Sequence, residues 1–190
     1  LDQPFMVMAT QKPIEQEGTN PHAEAHVDRF MLHVRVDYPS QDEERKNMDQ
    51  ISDRLLLARD AGAGSGVQQV APTAQLLEPR KTVGHVYIDP KIKDYIVQIV
   101  AATRHPVRVG LGDLTDMIAH GASPRASIAL NVASRAHAFM RHRGYVTPED
   151  IKAIGPDVLR HRIIRSYEAE AEEITSDHIV RRIFETVEVP

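Results

Sequence analysis

Ser123-Pro124-Arg125-Ala126-Ser127-Ile128-Ala129-Leu130 is the stretch from which the rest of the chain can be read. Ser at an N-cap followed by Pro in the first turn is a strong helix start, and Ile128, Val132 and Phe139 continue it along an apolar face. Arg125 breaks the local rule, because the positive end of the helix macrodipole disfavours a cation there by ~0.3–1 kcal/mol. Broken local preferences often mark functional positions, and a guanidinium beside several free helix amides suits a phosphate group. The competing reading is an Arg paired with a nearby carboxylate.

Working outward, the same kind of start recurs. Asp89-Pro90 precedes Ile92, Ile96 and Val100, and Thr147-Pro148-Glu149-Asp150 opens a short helix predicted to close at Gly155. A last helix is predicted from about Thr175, with Ile179, Ile183 and Val187 on one face, and a further amphipathic one spans Gln75–Lys81. Ser40-Gln41-Asp42-Glu43 has the form of a capping box ahead of Met48, Ile51 and Leu55. Between them, Ala61-Gly62-Ala63-Gly64-Ser65-Gly66 reads as a linker. Upstream the period changes. Pro4–Thr10 is a continuous apolar run of the kind a parallel, interior strand shows, and Leu32, Val34 and Val36 alternate with His33 and Arg35 as a half-covered strand does. Two strands do not make a stable sheet, so their partners are expected outside the 190 residues.

Composition bounds the function. With 42% hydrophobic and 26% charged residues the chain has the material for a packed core, which excludes a disordered chain or a fibre. The absence of cysteine excludes a disulfide scaffold and suits a reducing compartment, so the cytoplasm is the expected location. No apolar run is long enough for a membrane span. Leu1-Asp2-Gln3-Pro4 is neither an initiator Met nor a signal peptide, and the chain is expected to be a piece of something longer. The formal charge of −4 hides a contrast: residues 123–165 carry eight bases and three acids, whereas 166–190 carry two and seven. A basic island can bind nucleic acid, with Tyr145–Arg165 passing for a helix-turn-helix followed by a strand, or it can be a face balanced by its acidic neighbour. The second is the commoner case.

The remaining candidates are polar residues at strand ends. Thr10-Gln11-Lys12-Pro13 lies where a parallel strand would end, the side on which such sheets bind ligands. Asp28-Arg29-Phe30 leads into the second strand, where Arg29 could reach a neighbouring subunit or form a surface ion pair. His22 and His26 lack the His-Glu-x-x-His order of a zinc helix, and His137, His142 and His161 sit among arginines as surface or packing residues; no metal site is expected. No Gly-x-x-x-x-Gly-Lys-Ser/Thr loop occurs, nor paired acids at a strand end, so these residues alone are not expected to hydrolyse a nucleotide.

Taken together, several stretches resemble the MoxR family of AAA+ ATPases: Pro4–Thr19 with its Ala-Thr-Gln-x-Pro-Ile-Glu-Gln-Glu-Gly run, Glu24–Phe30, Val86–Val97, Ser123–Ser127 and Tyr145–Asp150, in that order. The resemblance implies an α+β chain: residues 1–60 as the remnant of a parallel αβα nucleotide-binding sheet with two strands and a helix, 61–72 as a linker or insertion, and 73–190 as an all-helical lid. It implies ATP and Mg²⁺ as cofactors of the full-length protein, with the phosphate loop and Mg²⁺-binding acids upstream. Arg29 matches the arginine finger that acts on a neighbouring subunit of a ring, usually a hexamer, and Arg125 matches the sensor 2 arginine, serving its own or an adjacent site. Lys12 falls at the sensor 1 position, where the family typically has Asn. Lys only donates, so it can contact phosphate but cannot accept a hydrogen bond from water, which puts sensor 1 function there in question. The implied activity is chaperone-like remodelling of client proteins together with a von Willebrand factor A domain partner. The competing class is a nucleic-acid-binding helical module built on 123–165.

Overall fold

A computed structural model describes residues 5–10, 27–57 and 70–190. Seven α-helices lie among them: α1 (Gln41–Leu57), α2 (Leu77–His85), α3 (Pro90–Arg104), α4 (Pro124–Met140), α5 (Pro148–Leu159), α6 (Tyr167–Ala171) and α7 (Ser176–Thr186). The Ser40 capping box forms as read: the Ser40 hydroxyl donates to Glu43 at 2.7 Å and the Glu43 N–H returns to Ser40 at 3.4 Å. The expected start signals hold elsewhere too. Asp89 accepts from the Lys91 N–H at 2.9 Å, Ser123 from the Arg125 N–H at 3.3 Å, and Thr175 from the His178 N–H at 3.1 Å.

The core is a closed arrangement of four helices, α3 against α4, α4 against α5, α5 against α7 and α7 back on α3. Tyr95, Ile96, Ile99 and Val100 of α3 meet Leu130 of α4, Ile151, Val158 and Leu159 of α5, and Ile179, Val180 and Ile183 of α7, all of them buried. Ala126, Ala129 and Ala133 give α4 a small-residue face that lets its neighbours approach closely. Two short strands close one end: β1 (Ile118–His120) pairs antiparallel with β2 (Ile164–Arg165). A parallel bridge between Tyr87 and Tyr145 ties the entrance of α3 to that of α5.

Two local devices position α4. Gly121 passes so close to Thr103 that a Cβ would lie 2.3 Å from the Thr103 carbonyl oxygen, and the buried Thr103 hydroxyl accepts from the Ala122 N–H at 2.9 Å. Asp150, wholly buried at the start of α5, accepts from Arg143 at 2.5 and 2.8 Å, from the Thr147 N–H at 2.8 Å and from His137 Nδ1 at 2.6 Å. Burial alone would raise its pKa, but these donors outweigh it and hold the carboxyl well below the usual range. The His137 of the basic island is therefore a packing residue.

One expectation needs correction. Gly155 does not end its helix: α5 runs through it and through Pro156 to Leu159. The glycine is there for space, because a Cβ would stand 2.2 Å from Cζ of Phe184 on α7. Among the described residues, neither Phe5–Ala9 nor Met31–Val36 pairs in a ladder. The first is exposed throughout, and the second has part of its backbone bonded to the end of α5 instead. The linker at 61–66 lies outside the described residues.

Gly155→Ala should lower stability by ~1 kcal/mol in chemical denaturation, since overpacking costs ~1–3 kcal/mol against ~1 kcal/mol gained in helix propensity. In a Phe184→Ala background the same change should stabilise instead. Stabilisation in both backgrounds would show that the Phe184 ring does not need the space.

Candidate functional site

Residues 27–31 form a tight turn, with the Phe30 N–H donating to the Val27 carbonyl at 3.0 Å. Arg29 projects from it, exposed. Its neighbour Asp28 turns the other way and accepts from the Ser123 hydroxyl at 3.3 Å and from Arg162 Nε at 3.1 Å. Ser123 is also the N-cap of α4, and Arg125 is exposed two residues further on. Two exposed arginines, Arg29 and Arg125, thus lie one residue from Asp28 and two from Ser123, respectively, the two ends of one contact. Neither has an ion-pair partner among the described residues.

The turn is held by Arg160-His161-Arg162, where the helical turn at the end of α5 leads into β2. The Arg162 side chain is only 2% exposed. It donates to the carbonyls of Asp28 at 3.1 Å, Phe30 at 2.6 Å and Met31 at 3.2 Å, and to that of Val158 in the preceding helix α5. His161 Nε2–H donates to the Phe30 carbonyl at 3.1 Å. Arg160 bonds the His33 carbonyl, Asp157, and Asp177 of α7 at 2.8 Å, while the His33 N–H donates to the Asp157 carbonyl at 2.8 Å and Arg35 reaches Asp177 at 2.8 Å. Backbone groups of Met31 and His33 that a strand would offer to a sheet are thus taken up by this helix end.

Electrostatics follow from burial. The Arg162 pKa is lowered by its buried position, opposed by Asp28 and reinforced by Arg125, so the α4 cation acts on the same corner. His161 is pushed down to about 4, first by burial and then by the adjacent Arg162, and His33 is lowered by burial and Arg160. Their rings stack edge to face, centroids 5.8 Å apart, and the Nδ1 of each is buried without a partner. With Nε2 donating to Phe30, His161 is the neutral tautomer whose Nδ1 carries the lone pair.

Half of the basic island is spent internally: Arg143 on Asp150, Arg160 on Asp177 and Asp157, Arg162 on Asp28 and Arg165 on Glu170. Tyr145–Arg165 is one helix followed by a strand, with no second helix, so the helix-turn-helix reading fails. Lys12 and the pair His22 and His26 lie outside the described residues. Among the described residues no group of three or more His, Cys, Asp or Glu could hold a metal. No helix among them is long and apolar enough to cross a membrane. Asp28, His33, Arg160, Arg162 and Asp177 were missed by sequence reasoning; the one available signal was the Arg-His-Arg run directly after an apolar helix.

Residues 114–183 match the AAA lid domain family, and residues 1–32 match the ATPase family associated with various cellular activities. The chaperone MoxR1 of Mycobacterium tuberculosis is 38% identical across 100% of this chain and 48% of its own length, and the uncharacterized protein YeaC of Bacillus subtilis 40% identical across 100% and 54%. The chain belongs to the MoxR family of AAA+ ATPases. The crystal structure of a candidate ATPase from Cytophaga hutchinsonii matches with a TM-score of 0.88 at 41% identity, over 100% of this chain and 56% of that one. The chain spans about half the length of the curated relatives it matches. In this MoxR-family chain, the clamp from Asp28 to Arg162 joins the segment matched to the ATPase family to the segment matched to the lid.

A buried neutral His161 makes the clamp acid-sensitive. Its folded pKa of about 4 lies below the ordinary 6.5, so its contribution is complete above 6.5 and declines as the pH falls toward 4, by up to about tenfold in equilibrium constant per pH unit. Unfolding measured from about pH 7 to 4 should show His161→Gln losing less stability than the parent over that window. Parallel curves would contradict a buried, neutral His161.

Proposed function

We propose that this chain forms the finger-and-lid part of a chaperone-like AAA+ ATPase that hydrolyses ATP to remodel or activate partner proteins. On this reading residues 1–60 complete a nucleotide-binding core, 61–72 link, and 73–190 form the lid. ATP with Mg²⁺ is bound by the full-length protein, and the chain alone does not turn ATP over, because the residues it offers to phosphate are two arginines without a phosphate loop. The protein acts in the cytoplasm as a ring, with a von Willebrand factor A domain protein as companion. The chaperone designation of the Mycobacterium tuberculosis relative supports the remodelling role.

The observation that carries the site assignment is the Asp28–Ser123 contact with an exposed arginine close in sequence to each end. Phosphoryl transfer spreads negative charge over the equatorial oxygens, and a guanidinium delivered from a neighbouring subunit stabilises it. Arg29 is that finger. Because Arg125 leaves the same corner of the same subunit, it serves the same phosphate group, the one held by the neighbour. Lys12 at the sensor 1 position contributes charge only.

In the full-length protein, Arg29→Ala should cost ~10³-fold or more in turnover with ATP binding nearly intact, and mixing it with a phosphate-loop variant should restore activity. Arg125→Ala should lower turnover and be rescued by the same partner. Rings mixed from Arg29→Ala and Arg125→Ala subunits should stay inactive, since every interface then lacks one arginine. Recovery in that mixture would assign Arg125 to its own subunit's site, and wild-type turnover by Arg29→Ala would remove the finger.

A further inference from the structure

Arg162 is an anomaly for a lid whose apolar core has no need of it. Burying a guanidinium is costly unless every donor is used, and Arg carries five. All five are used here: Nε on the Asp28 carboxylate, two N–H groups on Met31 and Val158, and two on Asp28 and Phe30. Four of the five go to the turn, and the gripped carbonyls belong to residues 28, 30 and 31, on both sides of Arg29. The backbone of Arg29 is therefore fixed from the lid while its side chain stays free.

We propose that Arg162 is a positioning residue for the arginine finger, acting through Asp28 and the turn carbonyls so that the finger moves with the lid as one body. This rests on the reading of Arg29 as the finger and adds what aims it. A fork of donors fixes both position and orientation, whereas a lysine in its place would keep the charge with three donors on one atom and leave carbonyls ungripped. A displacement of about 1 Å at a catalytic group can cost ~10²-fold in rate. The lid helix α5, which leads to Arg162, also packs on α4, which carries Arg125, so one rigid unit presents both guanidiniums.

The test is a double-mutant cycle in the full-length protein, with turnover, the KM for ATP and hydrogen exchange at the 29–33 amides as readouts. Arg162→Lys should lower kcat ~10²-fold with KM nearly unchanged, speed exchange at the turn while α3 and α7 stay protected, and cost nothing further when added to Arg29→Ala. Asp28→Asn, at the more exposed end of the pair, should show the same epistasis more weakly and serves if Arg162→Lys does not fold. Losses that multiply independently of Arg29, or a kcat matching the parent, would overturn the positioning role. If Arg29→Ala itself turns over normally, the finger reading fails; exchange at the turn then still reports whether Arg162 holds it, and unchanged exchange in Arg162→Lys would overturn the clamp as well.

Discussion

A guanidinium buried at the end of α5, with its donors spread over a carboxylate, three turn carbonyls and one helix carbonyl, is the constraint on which the arrangement of this chain turns. Replaced by an apolar side chain, Arg162 would leave the Asp28 carboxylate and three carbonyls short of partners, and pairs of this kind are costly to break from one side. Their value lies more in specificity than in net stability. The four-helix core is held by ordinary apolar packing among Tyr95, Ile99, Leu130, Ile151 and Ile183; what the arginine adds is a single geometry for the turn at 28–31. Arg160 and His161 extend the same grip, one to Asp177 on α7 and the other to the Phe30 carbonyl, so three consecutive residues tie the turn to the end of α5 and link that end to α7.

The lid was legible in the sequence because its helices announce themselves locally. Ser123-Pro124, Asp89-Pro90 and Thr175 cap as their residue types require, and the 3.6-residue period of Ile92, Ile96 and Val100 is undisturbed. Gly155 misled because helix propensity is a weak prior: the decisive contact, with Phe184, comes from a residue 29 positions later that no local pattern reveals. The strand at 31–36 was read from an alternation that is real, its sheet partners are expected outside the 190 residues, and the end of α5 binds the His33 backbone. Position alone marked Arg125 as odd, since a cation at a helix start needs a reason. Arg29 owed its finger role to resemblance, and the residues that hold it in place left only the Arg-His-Arg run as a signal, because a long-range clamp leaves no periodic trace.

The charge map shows the same division between local and distant causes. Eight bases against three acids in 123–165 look like a nucleic-acid surface until the partners are traced. Asp28, Asp150, Asp157, Glu170 and Asp177 take up four of the arginines, and the cations with no ion-pair partner at the Asp28 corner are Arg29 and Arg125. Half of a composition-level signal thus resolves into a structural network, and among the four bases of 123–165 without an ion pair Arg125 is the one at the Asp28 corner, where phosphate chemistry is proposed to occur.

The central claim is that the turn bearing Arg29 and the lid form one rigid body. Spin labels can be attached at introduced Val34→Cys and Lys152→Cys, both exposed positions in a stretch of 190 residues without cysteine, in a full-length protein from which any cysteine elsewhere has been removed. The account predicts one narrow distance distribution between these labels that is the same without nucleotide, with a non-hydrolysable ATP analogue and with ADP. A second population, or a shift of the distance in any nucleotide state, would show the turn and the lid moving independently and would contradict it.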